Sequence, residues 1–252
     1  MKEKVAFFLP TRRGSERVKN KNTKPFAGIE GGLVENKVKQ LLATKLIDEI
    51  IFSSNDEVCM EVAAKYKDSR LRIINRPTEL CLSTTNLQDL ICYVPTVTDA
   101  EHILWGHVTT PLCGADQYDA GIKLYFEKLN EGYDSLVGVT VLKNFLLNKE
   151  GKLINNTADI PWPRTQDLEA LYPINHTMFL AKREVYIEQK NRIGKKPLLY
   201  IMDALHSFDI DWPDDFVIAE IMYKNLYGEK NRMEKVVTFG EIMVRLGAPD
   251  YL

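Results

Sequence analysis

Asp209 and Asp211 flank Ile210 in the segment Phe208-Asp209-Ile210-Asp211. In an extended chain, alternate side chains point the same way. Both carboxylates then face one side while Ile210 faces the core. Two carboxylates so placed make a hard-oxygen site for Mg²⁺ when they face a phosphate. The complementary charge lies near the other end of the chain. Residues 9–25, LPTRRGSERVKNKNTKP, carry Arg12, Arg13, Arg17, Lys19, Lys21 and Lys24, and only Glu16 opposes them. Gly14 and Ser15 stand in the middle, where backbone N–H groups can face a ligand. A basic, glycine-containing loop that follows directly on a strand is suited to holding phosphates. One segment neutralises phosphates and the other holds a metal bridging them. That pairing suits nucleotidyl transfer, in which positioning and charge neutralisation carry most of the catalysis. Each segment taken alone has a plainer reading, as a solvated basic loop or as an exposed acidic pair beside a helix N-terminus. Asp214 and Asp215 read as first-turn residues of the helix that Pro213 opens.

The elements that would position these groups follow from the hydrophobic pattern. Val5 to Leu9 is a short apolar run that predicts a buried strand. Residues 31–47 place Leu33, Val34, Val38, Leu41, Leu42 and Leu46 at near-helical spacing. Asp48–Ser54 predicts a second strand, and Asn55 or Asp56 caps a helix running to about Lys67. Leu71–Ile74 predicts a third strand, followed by the loop Asn75-Arg76-Pro77. A helix over Leu87–Val97 is bent or shortened by Pro95. His102–Gly106 predicts a fourth strand, with His107–Gly114 as its C-terminal loop. A helix over 116–130 and a strand over Ser135–Leu142 complete the run. This alternation means βαβ units and a mainly parallel α/β sheet flanked by helices. In such sheets ligands bind beyond the C-terminal strand ends, so the basic loop, the Arg76 loop and the His107 loop are expected in one crevice. The rhythm breaks at Lys143–Tyr172, a polar, turn-rich stretch too long for an ordinary connection. It is expected to be an excursion from the sheet. A return strand over Thr177–Ala181, a helix over 182–190 and a strand over Leu198–Met202 follow.

The 252 residues are 45% hydrophobic with a formal net charge of -2, enough chain for one large α/β domain or two small ones. Near-neutral charge argues against a general nucleic-acid binder. Cys59, Cys81, Cys92 and Cys113 show no CxxC spacing, which predicts free thiols in a reducing compartment rather than disulfides or zinc. The apolar run near the start is too short for a signal peptide, and no segment reaches membrane-span length. A soluble cytoplasmic protein is expected, with neither nucleic acid nor membrane as partner.

The motifs together resemble the sialic-acid-type cytidylyltransferases, the CMP-sialic acid synthetase family. Within LPTRRGSERVKNKNTKPFAG, Arg12, Gly14, Ser15, Arg17, Lys21 and Asn22 match the family's opening I-P-A-R-x-G-S-K-R-I-P-x-K-N in register. Arg76-Pro77-Thr78-Glu79-Leu80 resembles its R-P-x-E-L loop, with Thr84 at its D-T or S-T pair. Thr109-Thr110-Pro111-Leu112 resembles T-S-P-L-R, Pro163-Arg164-Thr165-Gln166 resembles P-R-Q-x, and Asn175 stands at its N-G. Asp209-Ile210-Asp211 with Asp215 and Ala219 resembles I-D-I-D-x-x-x-D…A. The matches run in order from residue 4 to about 228. The resemblance implies a Rossmann-like nucleotide-diphospho-sugar transferase fold. It also implies a reaction in which CTP and a 2-keto-3-deoxy sugar acid (a nonulosonate) give the CMP-sugar and pyrophosphate. Mg²⁺ would be held by Asp209 and Asp211, and the triphosphate by Arg12, Ser15 and Lys21. Asn22, Arg76 and Thr84 would lie near ribose and cytosine. Arg12, Lys21 and Asp211 would be the catalytic residues. The family is usually a homodimer, and the excursion over 143–175 would carry Arg164 and Gln166 to the partner's sugar site. Asn175 and His107 would stand on the sugar side.

The chain departs from the family pattern at Glu16, Lys19, His107, Cys113 and His176-Thr177. His107 and Cys113, where the family often has glutamine and arginine, lie on the acceptor side, and His176-Thr177 in place of Gly-Ala puts a larger side chain where the sugar's substituents would pack, so a smaller or non-acetylated acceptor, such as a deaminated nonulosonate, is expected. Readings that stay open are the same fold acting on an octulosonate or a sugar phosphate, and a nucleotide-binding module with weakened turnover. Residues 1–230 form the expected cytidylyltransferase domain. Residues 231–252 are expected to be a linker and the first strand of a second domain, because Glu234–Leu246 resembles the opening of ribokinase-type sugar kinases.

Overall fold

The computed structural model describes residues 3–14, 17–157 and 160–228. The expected kinase-like tail lies outside them. A seven-stranded sheet with the order β3-β2-β1-β4-β6-β5-β7 forms the centre. Its strands are β1 (Val5–Pro10), β2 (Glu49–Ser54), β3 (Leu71–Asn75), β4 (His102–Trp105), β5 (Ser135–Val139), β6 (Ile174–Lys182) and β7 (Pro197–Ile201). All neighbouring pairs are parallel except those made by β6, which runs antiparallel to both β4 and β5. The predicted mainly parallel sheet is therefore present, with one reversed strand. That reversal brings the start of β6 to the same edge as the C-terminal ends of β1 to β4.

β1 shows why the sheet is covered on both sides. Val5, Phe7 and Leu9 enter one core cluster, and Ala6 and Phe8 enter the other. A strand that buries both faces needs apolar residues at every position. Burial of each Phe contributes roughly 1.5–3 kcal/mol. Helices α1 (Gly32–Leu42), α2 (Glu57–Ala64), α4 (Ala115–Leu129) and α6 (Pro213–Tyr227) pack on the first face, and α3 (Leu87–Tyr93) and α5 (Arg183–Glu188) on the second. α3 stops two residues before Pro95 and continues as a single 3-10 turn, Val94–Thr96. The cap of α2 is Asp56, whose side chain accepts from the N–H groups of Val58 and Cys59. Asp215 caps the start of α6 by accepting from the N–H groups of Asp211 and Trp212, as the first-turn reading requires. The four cysteines are free. No helix of the described residues is long and apolar enough to cross a membrane.

The excursion after β5 carries only a 3-10 turn, Thr165–Asp167, and two isolated bridges, Leu142↔Leu171 and Leu147↔Leu153. Asn155 is its buried pin: its amide donates to Asn144 O and Glu169 O while its carbonyl accepts from Leu146 N–H. Phe145, Leu147, Ile154, Ile160 and Trp162 are exposed. β6 begins three residues earlier than predicted and contains Asn175 and His176. Its register against β5 shifts between Val137 and Val139. A bulge of this kind re-aims side chains, and His176 adopts a left-handed φ of 58° within it. Gly138 faces the bulge. A Cβ there would meet Thr177 Oγ1 at 2.3 Å and Asn175 Oδ1 at 2.6 Å, so glycine is what lets the two strands approach.

Candidate active site

A cleft of about 490 Å³ opens where β1, β3 and β4 end. The basic loop, the Arg76 loop, the His107 loop and the 209–211 segment all reach it, through Arg12, Arg17, Lys21, Arg76, His107 and Asp211. The three strand-end loops that the alternation places in one crevice do share one.

The wall on the β1 side is built mostly from paired groups. Arg76 is 3% exposed. Its guanidinium donates to Thr11 O at 2.6 Å and Ser53 O at 3.4 Å, so it ties the ends of β1 and β2 together behind the cleft surface. Asn22 donates to Arg12 O at 3.4 Å and receives Val34 N–H on its own carbonyl at 3.0 Å, which pins the basic loop to α1. The contact is close because Gly32, at φ 62°, admits the loop: a Cβ there would lie 2.3 Å from Lys24 O. Arg12 lines the cleft, and its guanidinium has no hydrogen-bond partner among the described residues. Ser15 lies outside the described residues. Thr84 is exposed, with its neighbours Ser83 and Thr85 in the lining.

The acidic segment joins this wall at two points. Lys21 Nζ donates to Ile210 O at 2.7 Å, and Arg17 Nη1 meets Asp211 Oδ1 at 2.8 Å. Ile210 is fully buried, and its N–H donates to Thr109 O at 2.9 Å. The segment is coil rather than strand, yet Ile210 points into the core as expected. Burial lowers the Lys21 ammonium from its ordinary value, against the opposing pull of Asp209 and Asp211. Burial raises the Asp209 carboxyl, while Thr109 and His176 favour its charged form. Asp209 Oδ1 is shielded from solvent and has no hydrogen-bond partner. An orphaned carboxylate oxygen beside an exposed carboxylate is a donor set that a hard cation completes. Among the described residues no group of three His, Cys, Asp or Glu side chains gathers to hold a metal. Asp209 and Asp211 could therefore supply two ligands, with phosphate oxygens and water as the rest.

The loop after β4 is set from below by Lys37. This ammonium is fully buried and donates to Thr110 O at 2.9 Å, Cys113 O at 2.7 Å and the Tyr118 hydroxyl at 3.0 Å. Burial lowers its pKa to about 8. The sequence contained a signal for it: Lys37 falls midway between Leu33 and Leu41, on the apolar stripe of α1, where a cation must find buried acceptors. Thr109 and Arg17, which contact the 209–211 segment, belonged to recognised motifs but were not singled out as site residues.

The wall on the β4–β6 side is aromatic. His107 stands 6.2 Å from Trp105 and 6.1 Å from His176, centroid to centroid. Burial first, and then the nearby Arg192 guanidinium, hold the His107 imidazole down at about 3. It is neutral at physiological pH. Asn175 is buried, with its carbonyl accepting from the Thr177 N–H and hydroxyl and its amide unpartnered. Arg164 and Gln166 are not brought to this cleft within the chain. Arg164 pairs with Asp167 at 2.8 Å on the excursion, and Gln166 offers its carbonyl to Lys143.

A family model described as Cytidylyltransferase matches residues 6–239. An N-acylneuraminate cytidylyltransferase of Escherichia coli is 26% identical over 229 residues, covering 87% of this chain and 52% of that protein. This chain thus spans about half the length of that relative. A pseudaminic acid cytidylyltransferase of Campylobacter jejuni is 24% identical over 225 residues, covering 86% of this chain and 94% of that protein. Among solved structures, a CMP:2-keto-3-deoxy-manno-octonic acid synthetase complexed with CTP superposes with a TM-score of 0.64 at 11% identity, over 88% of this chain and 99% of the other. A 4-diphosphocytidyl-2C-methyl-D-erythritol synthase from Anaerococcus prevotii gives 0.63 at 12%, over 88% and 99%. At these identities the superpositions speak for the fold.

Proposed function

This chain belongs to the cytidylyltransferase family, and from that premise we propose that it joins CTP to a 2-keto-3-deoxy sugar acid, releasing pyrophosphate and forming the CMP-sugar. One observation carries the reading. The basic loop after β1 and the 209–211 segment, with Asp211 in the lining, meet at a single cleft through Lys21 Nζ to Ile210 O and Arg17 to Asp211. Relatives named for neuraminate and pseudaminic acid support the acceptor class.

In this reading Arg12 and Lys21, with Ser15, bind the triphosphate, and Asn22 and the loops at Arg76 and Thr84 face ribose and base. Arg76 acts there by shaping the wall, since its guanidinium is already engaged. The anomeric hydroxyl oxygen forms a bond to the α-phosphorus, the bond to the bridging oxygen of pyrophosphate breaks, and the hydroxyl proton leaves to solvent. Mg²⁺ held by Asp209 and Asp211 would neutralise the phosphate oxygens. Lys21 fixes the acidic segment at the distance the phosphates require and adds its own charge. The exposed apolar residues of the excursion pack against a second copy, which presents Arg164 and Gln166 to the neighbouring cleft. His107 and His176 fill the acceptor end, which favours a deaminated nonulosonate over N-acetylneuraminate.

Pyrophosphate release, measured with each of the four nucleoside triphosphates across acetylated, deaminated and eight-carbon sugar acids, tests this directly. CTP with Mg²⁺ and a deaminated acid is expected to be fastest. Equal rates with acetylated and deaminated acids would sink the acceptor preference, and absence of pyrophosphate with every acid would sink the function.

A further inference from the structure

One face of α1 grips the loop after β4. Asn36 Nδ2 and Gln40 Nε2 both donate to Pro111 O, at 2.9 Å and 2.6 Å. Between them in the sequence, Lys37 Nζ holds Thr110 O and Cys113 O as well as the Tyr118 hydroxyl. Asn36, Lys37, Thr110 and Cys113 are all buried. The far side of the same loop faces the cleft. Thr109 lines it together with Asp211, and Thr109 O accepts the Ile210 N–H at 2.9 Å. Lys37 is thereby joined to the acidic segment by one unbroken run: its ammonium, the 109–113 loop, the peptide unit of Ile210, and the carboxylates on either side of it.

Lysine is a costly choice for this position. Leu33, Val34, Val38 and Leu41 belong to the core around it, and an apolar residue at 37 would continue their stripe. Burial lowers the ammonium, and the Cys113 thiol is the one group that opposes the shift, so no carboxylate among the described residues compensates the charge. A cation buried on neutral acceptors alone is a weak source of net stability, because desolvation consumes most of what the hydrogen bonds return. What lysine supplies is fixed geometry. Its three N–H donors meet three acceptors, and none is left free. Groups that act on a substrate must stand within about 0.5 Å of their productive places. A displacement of about 1 Å, caused far from the chemistry, can cost about 10²-fold in rate.

We propose that Lys37 is a positioning residue for the transfer step: through the 109–113 loop it fixes the places at which Asp209 and Asp211 meet the bound nucleotide. The inference rests on the proposed cytidylyl transfer. Lys37 lies outside the cleft lining, so it acts through these other groups and touches neither substrate.

Pyrophosphate release with CTP, saturating Mg²⁺ and the best sugar acid is measured for the wild type, Lys37→Met and Lys37→Gln, at a temperature where circular dichroism shows each to be fully folded. Mn²⁺ binding with CTP present and no acceptor is followed by electron paramagnetic resonance. Lys37→Met is expected to lose about tenfold to a hundredfold in kcat and to bind Mn²⁺ about tenfold more weakly, the range for losing a group that orients metal-binding carboxylates. Its KM for CTP should stay within about threefold, because Arg12 and Lys21 are untouched. Lys37→Gln keeps two N–H donors and should fall between. A folded Lys37→Met whose kcat and Mn²⁺ affinity stay within about threefold of wild type has lost only a structural prop, and overturns the inference. A lower kcat with unchanged Mn²⁺ affinity overturns it too, since the carboxylates would then be unmoved. So does a higher KM for CTP with unchanged kcat, which would set Lys37 behind the triphosphate wall. If Lys37→Met does not fold, Lys37→Gln decides by the same measurements. Should no acid support pyrophosphate release in the wild type although CTP binds, the functional reading fails and the inference falls with it.

Discussion

On the β1 side of the cleft, Arg76, Asn22, Lys21 and Arg17 all have partners within the chain. On the β4–β6 side, Trp105, His107, Asn175 and Arg192 each keep a shielded polar atom with none. A wall of paired groups is shaped before any ligand arrives and loses little by waiting for one. A wall of unpaired groups carries a desolvation cost until a ligand supplies what is missing. The first suits a substrate with many negative oxygens that any cation can hold. The second rejects ligands that lack the right acceptor, because those leave the cost in place.

The contrast can be broken at its edge and sharpened on its paired side. The largest effect is expected at the seam where the walls meet the acidic segment. Asp211→Ala should lower kcat by roughly 10²- to 10³-fold in a pyrophosphate-release assay, the range for losing one group that stabilises developing charge. Folding should be unharmed, because the Asp211 side chain is 58% exposed. A loss under about tenfold would remove Asp211 from the reaction.

Next comes the buried prop of the loop between the walls. Lys37→Met removes the donor to three acceptors and should cost about 2 kcal/mol of stability in urea unfolding at pH 7. The ammonium is lowered from 10.5 to about 8 in the folded chain. Between those values the unfolded chain holds a proton that the folded chain has released, so wild-type stability rises with pH there. The variant lacks this gain. Its deficit should widen from about pH 8 to 10.5, by at most about 1.4 kcal/mol per unit. A gap that stays constant between pH 7 and pH 9.5 would mean that Lys37 titrates alike in both states.

The smallest effect is expected at Arg17. Its pair with Asp211 is 53% and 58% exposed, so solvent screens it, and Arg17→Ala should change the melting free energy by less than about 0.5 kcal/mol. A larger loss would mean that the rim, and not only the paired interior, holds the wall in shape.

The sequence carried one side of this contrast better than the other. β1, β2, β3 and β4 were legible because runs such as Val5–Leu9 are apolar at every position, and the loops that follow them share an edge by topology alone. The meeting of the basic loop with the 209–211 segment was legible as charge complementarity, realised between Arg17 and Asp211; the bond from Lys21 to the Ile210 carbonyl was not. Arg76 was legible as a cleft residue, but its engagement with Thr11 and Ser53 was not, because backbone carbonyls leave no mark in a sequence. β6 was foreseen only from Thr177. Its start is a bulge at His176, and no period of two runs through Asn175-His176-Thr177. Arg192 stood in a polar loop before β7, and nothing local connects it with Trp105, on whose ring its guanidinium stacks. That contact depends on the reversed strand, which sets Phe179 beside Trp105 in register. Ser15, Glu16 and the expected tail at 231–252 lie outside the described residues.

The peptide unit at Ile210 gives its carbonyl to Lys21 and its N–H to Thr109. Three stretches of chain, separated by about a hundred residues each, close on that one unit. During synthesis the first two are made long before the third emerges, at roughly 5–20 residues per second. A nascent chain therefore carries its basic loop for seconds without the segment that anchors Lys21. Contacts of such long sequence separation form late in folding. On the proposed function, nucleotide affinity should arrive as one of the last properties the growing polypeptide acquires.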